Sequence, residues 1–361
     1  MRRSLAAAFL AGAAPCAVAQ SAVVYGLVDV AVEHVTNVGA SGVGLNRMAS
    51  ATGSLPSRIG FRGSEDLGDG LSAVFVLEQG FAPNTGVFTQ GGRAFGRQSL
   101  VGFVAPWGSL TLGRQYTMLY WSILDADILG TNIYGSGSLD PYIPNARADN
   151  AIAYRGTFAG LTVGATFSLG RDSVNAGSPA GTNCPGQSSD AKECREWSAL
   201  AKYDNPAGGA AFAVDQIRGG PGAFADLTSS AQKDTRVSVN GYVTLTGLRL
   251  AAGLVRRDNG ASALTPRSDL WYIGALYAAT PALRIDAEVF RLGFKGSGNR
   301  ATLAATRATY SLSKRTALYA TFGHIDNGGL LALSVSAGAP GSNPPPGSGQ
   351  LGVATGLRHF F

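Results

Sequence analysis

The chain has 361 residues, of which 45% are hydrophobic and only 14% charged, with a formal net charge of +6. Ordinary soluble domains carry about 25% charged residues, yet this charge-poor chain has no uninterrupted apolar run of the ~20 residues that a membrane-crossing helix needs. The supply of aromatics and aliphatics excludes disorder, the missing runs exclude a helical membrane protein, and length with 3 cysteines excludes a disulfide-stapled mini-protein.

Met1, Arg2 and Arg3 give a basic start, Leu5 to Ala14 is apolar and alanine-rich, and Ala17, Val18 and Ala19 form the small-x-small pattern of a cleavage point. This order predicts a secretory signal peptide over 1–19, cut between Ala19 and Gln20. Its removal from 361 residues leaves 342, numbered 20–361, and a net charge of +4 once Arg2 and Arg3 are gone.

From residue 22 onward, apolar and polar residues alternate. Val24, Val28, Val30 and Val32 interleave with Tyr25, Asp29 and Glu33. Leu161, Val163, Ala165 and Phe167 interleave with Thr162, Gly164, Thr166 and Ser168; further on, Ile285, Ala287 and Val289 interleave with Arg284, Asp286 and Glu288. Period two predicts strands with one apolar and one polar face. Seven short turn-like segments occur at Gly63–Gly70, Ala105–Ser109, Gly156–Gly160, Asn205–Gly209, Thr246–Gly247, Ala279–Ala282 and Leu312–Thr316. Each joins two strands, so with the first and last strands added the expected number is 16. Eight longer polar stretches separate the pairs, near 34–56, 79–94, 116–149, 171–196, 218–235, 257–269, 293–302 and 323–349.

Short connections at one end and long ones at the other are the pattern of a bacterial outer-membrane barrel. A soluble β-sandwich also alternates, but it places charge on its outer face. Here strand after strand has a clean apolar face and a small, hydroxylated polar one. In lipid only a closed barrel satisfies every backbone N–H and C=O. The expected fold is all-β: a 16-stranded antiparallel transmembrane barrel over 20–361.

Cys184 and Cys194 flank a polar segment in a chain that leaves the reducing cytosol, so a disulfide is expected. A metal pair would need further ligands, and the neighbours Asp190, Lys192, Glu193 and Arg195 include no histidine. No metal and no cofactor is expected. In the last strand Leu351, Val353, Thr355, Leu357, His359 and Phe361 share a face, and the chain ends on Phe361. A terminal aromatic after alternating residues resembles the outer-membrane assembly signal, which makes the assembly machinery an expected partner.

Several segments carry a family resemblance. Ser57 to Phe81, beginning Ser-Arg-Ile-Gly-Phe-Arg-Gly-Ser-Glu-Asp-Leu-Gly, closely resembles the second and third strands of the general diffusion porins of β-proteobacteria. Tyr25-Gly-Leu-Val-Asp29 is similar to their first strand, Phe95 to Phe103 and Gly108 to Tyr116 to their fourth and fifth. Asp149 to Tyr154, Leu312 to Tyr319 and Gly356 to Phe361 complete the likeness. The resemblance implies a homotrimer of 16-stranded barrels in the outer membrane of a Gram-negative bacterium. It also implies a third loop, about 116–149, folded inward to narrow each channel. Two departures stand out. Ala153 occupies a position where the family commonly has Lys or Arg, with Arg155 two residues on at the same parity. The third loop reads Tyr134-Gly-Ser-Gly-Ser-Leu-Asp-Pro-Tyr142 where the family usually has a Phe-Gly segment.

A barrel of this size is too wide for its side chains to fill and holds water. Selectivity then comes from width and wall charge. Arginine outnumbers lysine 24 to 5. Arg58 and Arg62 share a parity opposite to Ile59 and Phe61, which turns them toward the lumen. With Arg97, Arg114 and Arg155 they make the expected basic wall, faced by the carboxylates Asp125, Asp127, Asp140 and Asp149. Guanidinium is permanently charged and weakly hydrated, so it attracts anions without holding them tightly. The expected function is passive diffusion of small hydrophilic solutes and inorganic ions with modest anion preference. The alternative is a substrate-specific channel binding an organic anion, phosphate or sugar at the constriction, for which no long aromatic ladder or lysine cluster is found. Outer-membrane lipid is the expected surrounding. Nucleic acid is not an expected partner despite a pI near 9.3, because no basic run occurs. Catalysis is not expected either: the histidines are His34, His324 and His359, with no nucleophile elbow near them.

Overall fold

The computed structural model describes residues 21–49, 52–172, 181–186, 188–263, 266–337 and 341–361; the expected signal peptide lies outside them. The strands in chain order are β1 Ser21–Val38, β2 Val43–Met48, β3 Arg58–Gly68, β4 Leu71–Gly80, β5 Gln98–Ala105, β6 Gly108–Tyr116, β7 Arg147–Phe158 and β8 Leu161–Ser168. They continue as β9 Glu196–Asn205, β10 Gly208–Arg218, β11 Lys233–Leu245, β12 Leu248–Asn259, β13 Arg267–Ala278, β14 Leu283–Phe294, β15 Arg300–Ser311, β16 Thr316–Gly328 and β17 Gly349–Phe360. A short helix, α1 Met118–Ile123, and two 3₁₀ turns lie between β6 and β7.

These strands form one antiparallel sheet that closes on itself. β1 pairs with β17 along one edge and with β2 and β3 along the other. β3 opposes Ser21 to Leu27 of β1, and β2 opposes Val32 to Val38. β2 and β3 thus share one place in the wall end to end, and the barrel has 16 places. Apart from the outer edge of the short β2, each strand among the described residues is paired on both sides, which closes the wall. The last residue completes the seam: Phe361 N–H donates to the Gly26 carbonyl at 3.1 Å, and Gly26 N–H donates back at 3.2 Å. A Cβ on Gly26 would stand 2.5 Å from the Phe361 ring, so the close approach requires glycine there.

All seven expected short connections are present, and at one of them Ala159 and Gly160 adopt positive φ, 50° and 87°. One expected long stretch is different. Residues 34–56 are not continuous loop, because β1 runs on to Val38 and returns as β2 through a tight turn at 39–42. Glycines at both 39 and 42, with φ of 66° and 64°, allow that reversal. Beyond β2, residues 52–57 turn into the barrel.

Side chains sort by parity. On β16, Leu318, Ala320 and Phe322 point outward, while Tyr319, Thr321 and Asn327 are buried within. Val28 and Val32 point outward from β1 and Asp29 and Glu33 inward. On β17 the outward face is Leu351, Val353 and Leu357, with Phe361 beyond it. An apolar outside and polar inside is the arrangement a bilayer stabilises, because lipid takes the apolar side chains and strand pairing around the closed wall satisfies the backbone.

The loop between β6 and β7 occupies the lumen. Thr117 Oγ1 donates to Asp215 on β10 at 2.7 Å, and Met118 N–H donates to Ser198 Oγ on β9 at 3.0 Å. The chain then crosses: Leu129 N–H donates to Glu288 on β14 at 2.8 Å, and Asn132 Nδ2 donates to Thr321 on β16 at 3.2 Å. It returns to β11, where Arg236 donates to Asp140 at 2.9 and 3.3 Å. The expected disulfide is formed, with Cys184 and Cys194 Cα atoms 5.2 Å apart.

Candidate channel constriction

Between the third loop and the wall lies a cavity of about 600 Å³. Arg58 of β3, Arg97 just before β5, Arg284 of β14, Arg307 of β15 and Arg358 of β17 line it from the wall. They are spread over the arc of wall that runs from β14 through the β17–β1 seam to β5, with β16, β1 and β4 contributing no arginine. The third loop faces them with Tyr120, Trp121, Ile123, Leu124, Gly130 and Asp127 among others. Glu78 and Asp127 are the carboxylates of the lining, so five guanidiniums face two acids.

Each guanidinium is oriented by acceptors at its back. Glu78 accepts from Arg97 Nε at 2.7 Å, lies 3.5 Å from Arg58 Nε, and also accepts from the Tyr25 hydroxyl at 3.1 Å. Arg97 Nη2 donates to the Tyr116 hydroxyl at 2.8 Å. Asp286 accepts from Arg307 Nε and Nη2 at 2.9 and 2.7 Å and lies 3.1 Å from Arg284 Nε. Arg284 keeps 42% of its side chain open to the lumen. Arg358 Nη1 donates to Ser54 Oγ at 2.9 Å, and Ser54 in turn donates to Asp29 at 2.6 Å. This last link exists because 52–57 folds inward: Thr52 Oγ1 donates to the Thr131 carbonyl at 2.9 Å, and Ile133 N–H to the Gly53 carbonyl at 2.8 Å. A Cβ on Gly53 would meet Asp29 Oδ1 at 2.2 Å, so only glycine lets the strap lie so close to the wall.

Of the residues expected at the constriction, Arg58, Arg97 and Asp127 meet around this cavity. Asp127 accepts from Gly130 N–H at 2.8 Å and Ser136 Oγ at 2.7 Å; burial pushes its carboxyl above the usual carboxylate range. The others are placed elsewhere. Arg62 is inward by parity but exposed, 5.1 Å from the Tyr25 ring centre. Arg155 points inward beside Ala153 but lies 3.7 Å from the centre of the Trp121 ring, beneath α1. Arg114 has the parity of the outward Leu110 and Leu112, and donates to Asp149 at 2.5 Å and to the Gly96 carbonyl at 2.7 Å. Asp149 also pairs with Arg93 at 3.4 Å. Asp125 meets Lys202 of β9. Asp140 anchors the loop to Arg236: burial raises its carboxyl, but the guanidinium outweighs this and holds it below the usual range.

Sequence reasoning missed Arg284, Arg307 and Arg358. Their signal was present, since Arg284 alternates with the outward Ile285 and Arg358 with Leu357. It also missed Arg147, buried behind the cavity with Nη2 donating to the Tyr116 hydroxyl at 2.8 Å.

A family model described as Gram-negative porin matches residues 6–330. The chain is 27% identical to outer membrane porin protein 32 of Delftia acidovorans, with 100% of both chains covered. It is 34% identical to an outer membrane porin protein of Bordetella pertussis over 188 residues, 48% of this chain and 49% of that one. Among solved structures, the anion-selective porin from Comamonas acidovorans is similar with a TM-score of 0.76 at 22% identity, covering 95% of this chain and 100% of that one. OmpT of Vibrio cholerae in a trimer form has a TM-score of 0.67 at 14% identity, over 95% and 100% of the two chains.

Proposed function

The chain belongs to the Gram-negative porin family, and from that premise we propose that its channel prefers anions. The protein is an outer-membrane porin: small hydrophilic solutes diffuse through its water-filled barrel down their own gradients. One observation supports the preference, the five arginines and two carboxylates around the constriction cavity. A cation entering meets net positive charge in a narrow space, while a chloride or small organic anion is drawn in. Because Asp286 and Glu78 neutralise part of the guanidinium charge from behind, the preference is modest and the anions are not trapped. Reversal potential in a potassium chloride gradient tests the reading; a cation-selective potential would overturn it.

The same reading includes cleavage after Ala19, a role for Phe361 in assembly, and a homotrimer, for which the likeness to a porin described in trimer form is the support. We read the chain as a channel and not an enzyme. Specific retention of one solute is the weaker reading, because Arg307 and Arg97 spend most of their donors on protein acceptors.

A further inference from the structure

The geometry points to the Cys184–Cys194 disulfide as the part that, through Arg171 and Tyr142, holds the third loop at its working distance from the arginine wall. The inference rests on the reading of that loop as the narrowing element of the channel.

The returning limb of the third loop, Asp140 to Tyr142, has three anchors. Two belong to the rigid wall: Arg236 of β11 pairs with Asp140 and lies 4.3 Å from the Tyr142 ring centre, and Asp215 of β10 accepts the Tyr142 hydroxyl at 3.0 Å. The third does not. Arg171 lies past the end of β8, in the fourth long connection, and its guanidinium lies 4.8 Å from the Tyr142 ring centre. A side chain on a loop positions another group only if its own backbone is fixed. Here the Arg171 carbonyl accepts from Asp149 N–H of β7 at 2.8 Å, and the rest of the fixing comes from the disulfide. Arg171 N–H donates to the Cys194 carbonyl at 3.0 Å, and Asp172 N–H donates to the Cys184 carbonyl at 3.1 Å. The strap at 171–172 is thus tied to both half-cystines. Asp172 completes the frame by pairing with Arg171 and accepting from Thr182 N–H at 2.8 Å.

Packing agrees with this path. Cys184 and Cys194 are buried in one apolar cluster with Leu119, Tyr142 and Ala146 of the third loop. The loop after β10 closes over them: a Cβ on Gly220 would stand 2.6 Å from Cys194 Sγ and 3.2 Å from Cys184 Sγ. The disulfide is therefore wedged between two neighbours, and one of them is the constriction loop. A cross-link whose only task was to tether a surface loop would need neither contact.

The test compares the full mature protein with Cys184→Ser/Cys194→Ser, with Arg171→Gln, which leaves the disulfide intact, and with the three changes combined. Each is reconstituted in planar bilayers, and heat-modifiable gel migration identifies folded barrel. Open-channel current noise should rise several-fold in both the double-serine and Arg171→Gln channels, with conductance shifted in the same direction. The combined variant should go little further, because both changes cut one path. A disulfide that only stabilises the barrel would lower its unfolding temperature and leave noise and conductance of folded channels unchanged, and that result overturns the inference. Additive effects overturn it too. If the double-serine protein yields no folded barrel, wild-type noise in Arg171→Gln is decisive against it. Arg58→Ala separates the two readings: unchanged conductance and reversal potential there would sink the constriction itself, whereas a clear effect there with silent disulfide variants sinks only the clamp.

Discussion

Two arcs of the barrel wall carry similar inward residues and use them differently. On β9 to β11 the third loop lies directly on the wall, and the inward charges are consumed by it: Asp215 takes Thr117 and Tyr142, and Arg236 takes Asp140. On β14 to β17 and on β3, the loop touches the wall at Glu288 and Thr321 but leaves a cavity between, across which Arg284, Arg358 and Arg58 face it with acceptors behind them. Parity decides that a residue points inward. Whether an inward arginine serves as an anchor or as a wall for passing ions is decided by where a distant loop settles. The first arc gives its Asp215 and Arg236 to the loop, and the second, although it too holds the loop at Glu288 and Thr321, keeps three arginines for the solute.

The sharpest way to break this division is to delete one arginine from each arc. Arg236→Ala leaves Asp140 a buried acid without its guanidinium, while Asp234 keeps Arg257, and breaking a buried pair costs about 3–5 kcal/mol. The temperature at which folded barrel converts to the unfolded band should fall steeply. Arg284→Ala should cost about 1 kcal/mol or less, as for partly exposed pairs, since Asp286 keeps Arg307. Equal losses in the two variants would erase the distinction.

Selectivity should show the opposite ranking. A unit charge about 10 Å from an ion in a wet lumen is worth about 0.5 kcal/mol, roughly a factor of two in permeability ratio. Arg58→Ala and Arg284→Ala should each lower the chloride-to-potassium permeability ratio by about that factor, read from reversal potentials. Arg114→Ala should move it much less, because that guanidinium is spent on Asp149 and the Gly96 carbonyl. An Arg114 effect as large as that of Arg58 would mean that the wall has been assigned to the wrong residues.

The same contrast explains what could be read from the chain itself. Strand number, the seven tight connections, the outward apolar faces and the disulfide are local facts, written in period two and in glycines at turns. The residues at the constriction are not local. Arg155 has correct parity, yet Trp121 covers it, and no pattern near Arg155 announces a helix turn inserted from thirty residues away. Arg284, Arg307 and Arg358 alternate as plainly as Arg58, but only the crossing of the third loop toward β14 and β16 makes them its counterparts. The inward strap at 52–57 was hidden for a similar reason: Gly53 and Ser54 look like ordinary loop residues until Asp29 and Arg358 are placed beside them.

An effect of at most the same size comes from the one third-loop carboxylate on the cavity. Asp127 sits where burial penalises its charged form, while Ser136 and Gly130 donate to it and Arg307 lies close enough to favour ionisation. The balance is upward, so Asp127 takes up its proton at higher pH than an ordinary aspartate near 3.9. Protonation removes one negative charge from a lining of five positive and two negative groups. Anion preference should therefore rise as pH falls, starting above the usual carboxylate range, and by no more than the factor of about two that one charge supplies. Asp127→Asn retains an oxygen that can accept from Gly130 and Ser136 but carries no charge. It should show the acidic-side selectivity at every pH and flatten the profile. A slope that persists in Asp127→Asn would assign the titration to another group. A wild-type ratio that falls on acidification would place the sign of the loop's contribution opposite to the one its position dictates.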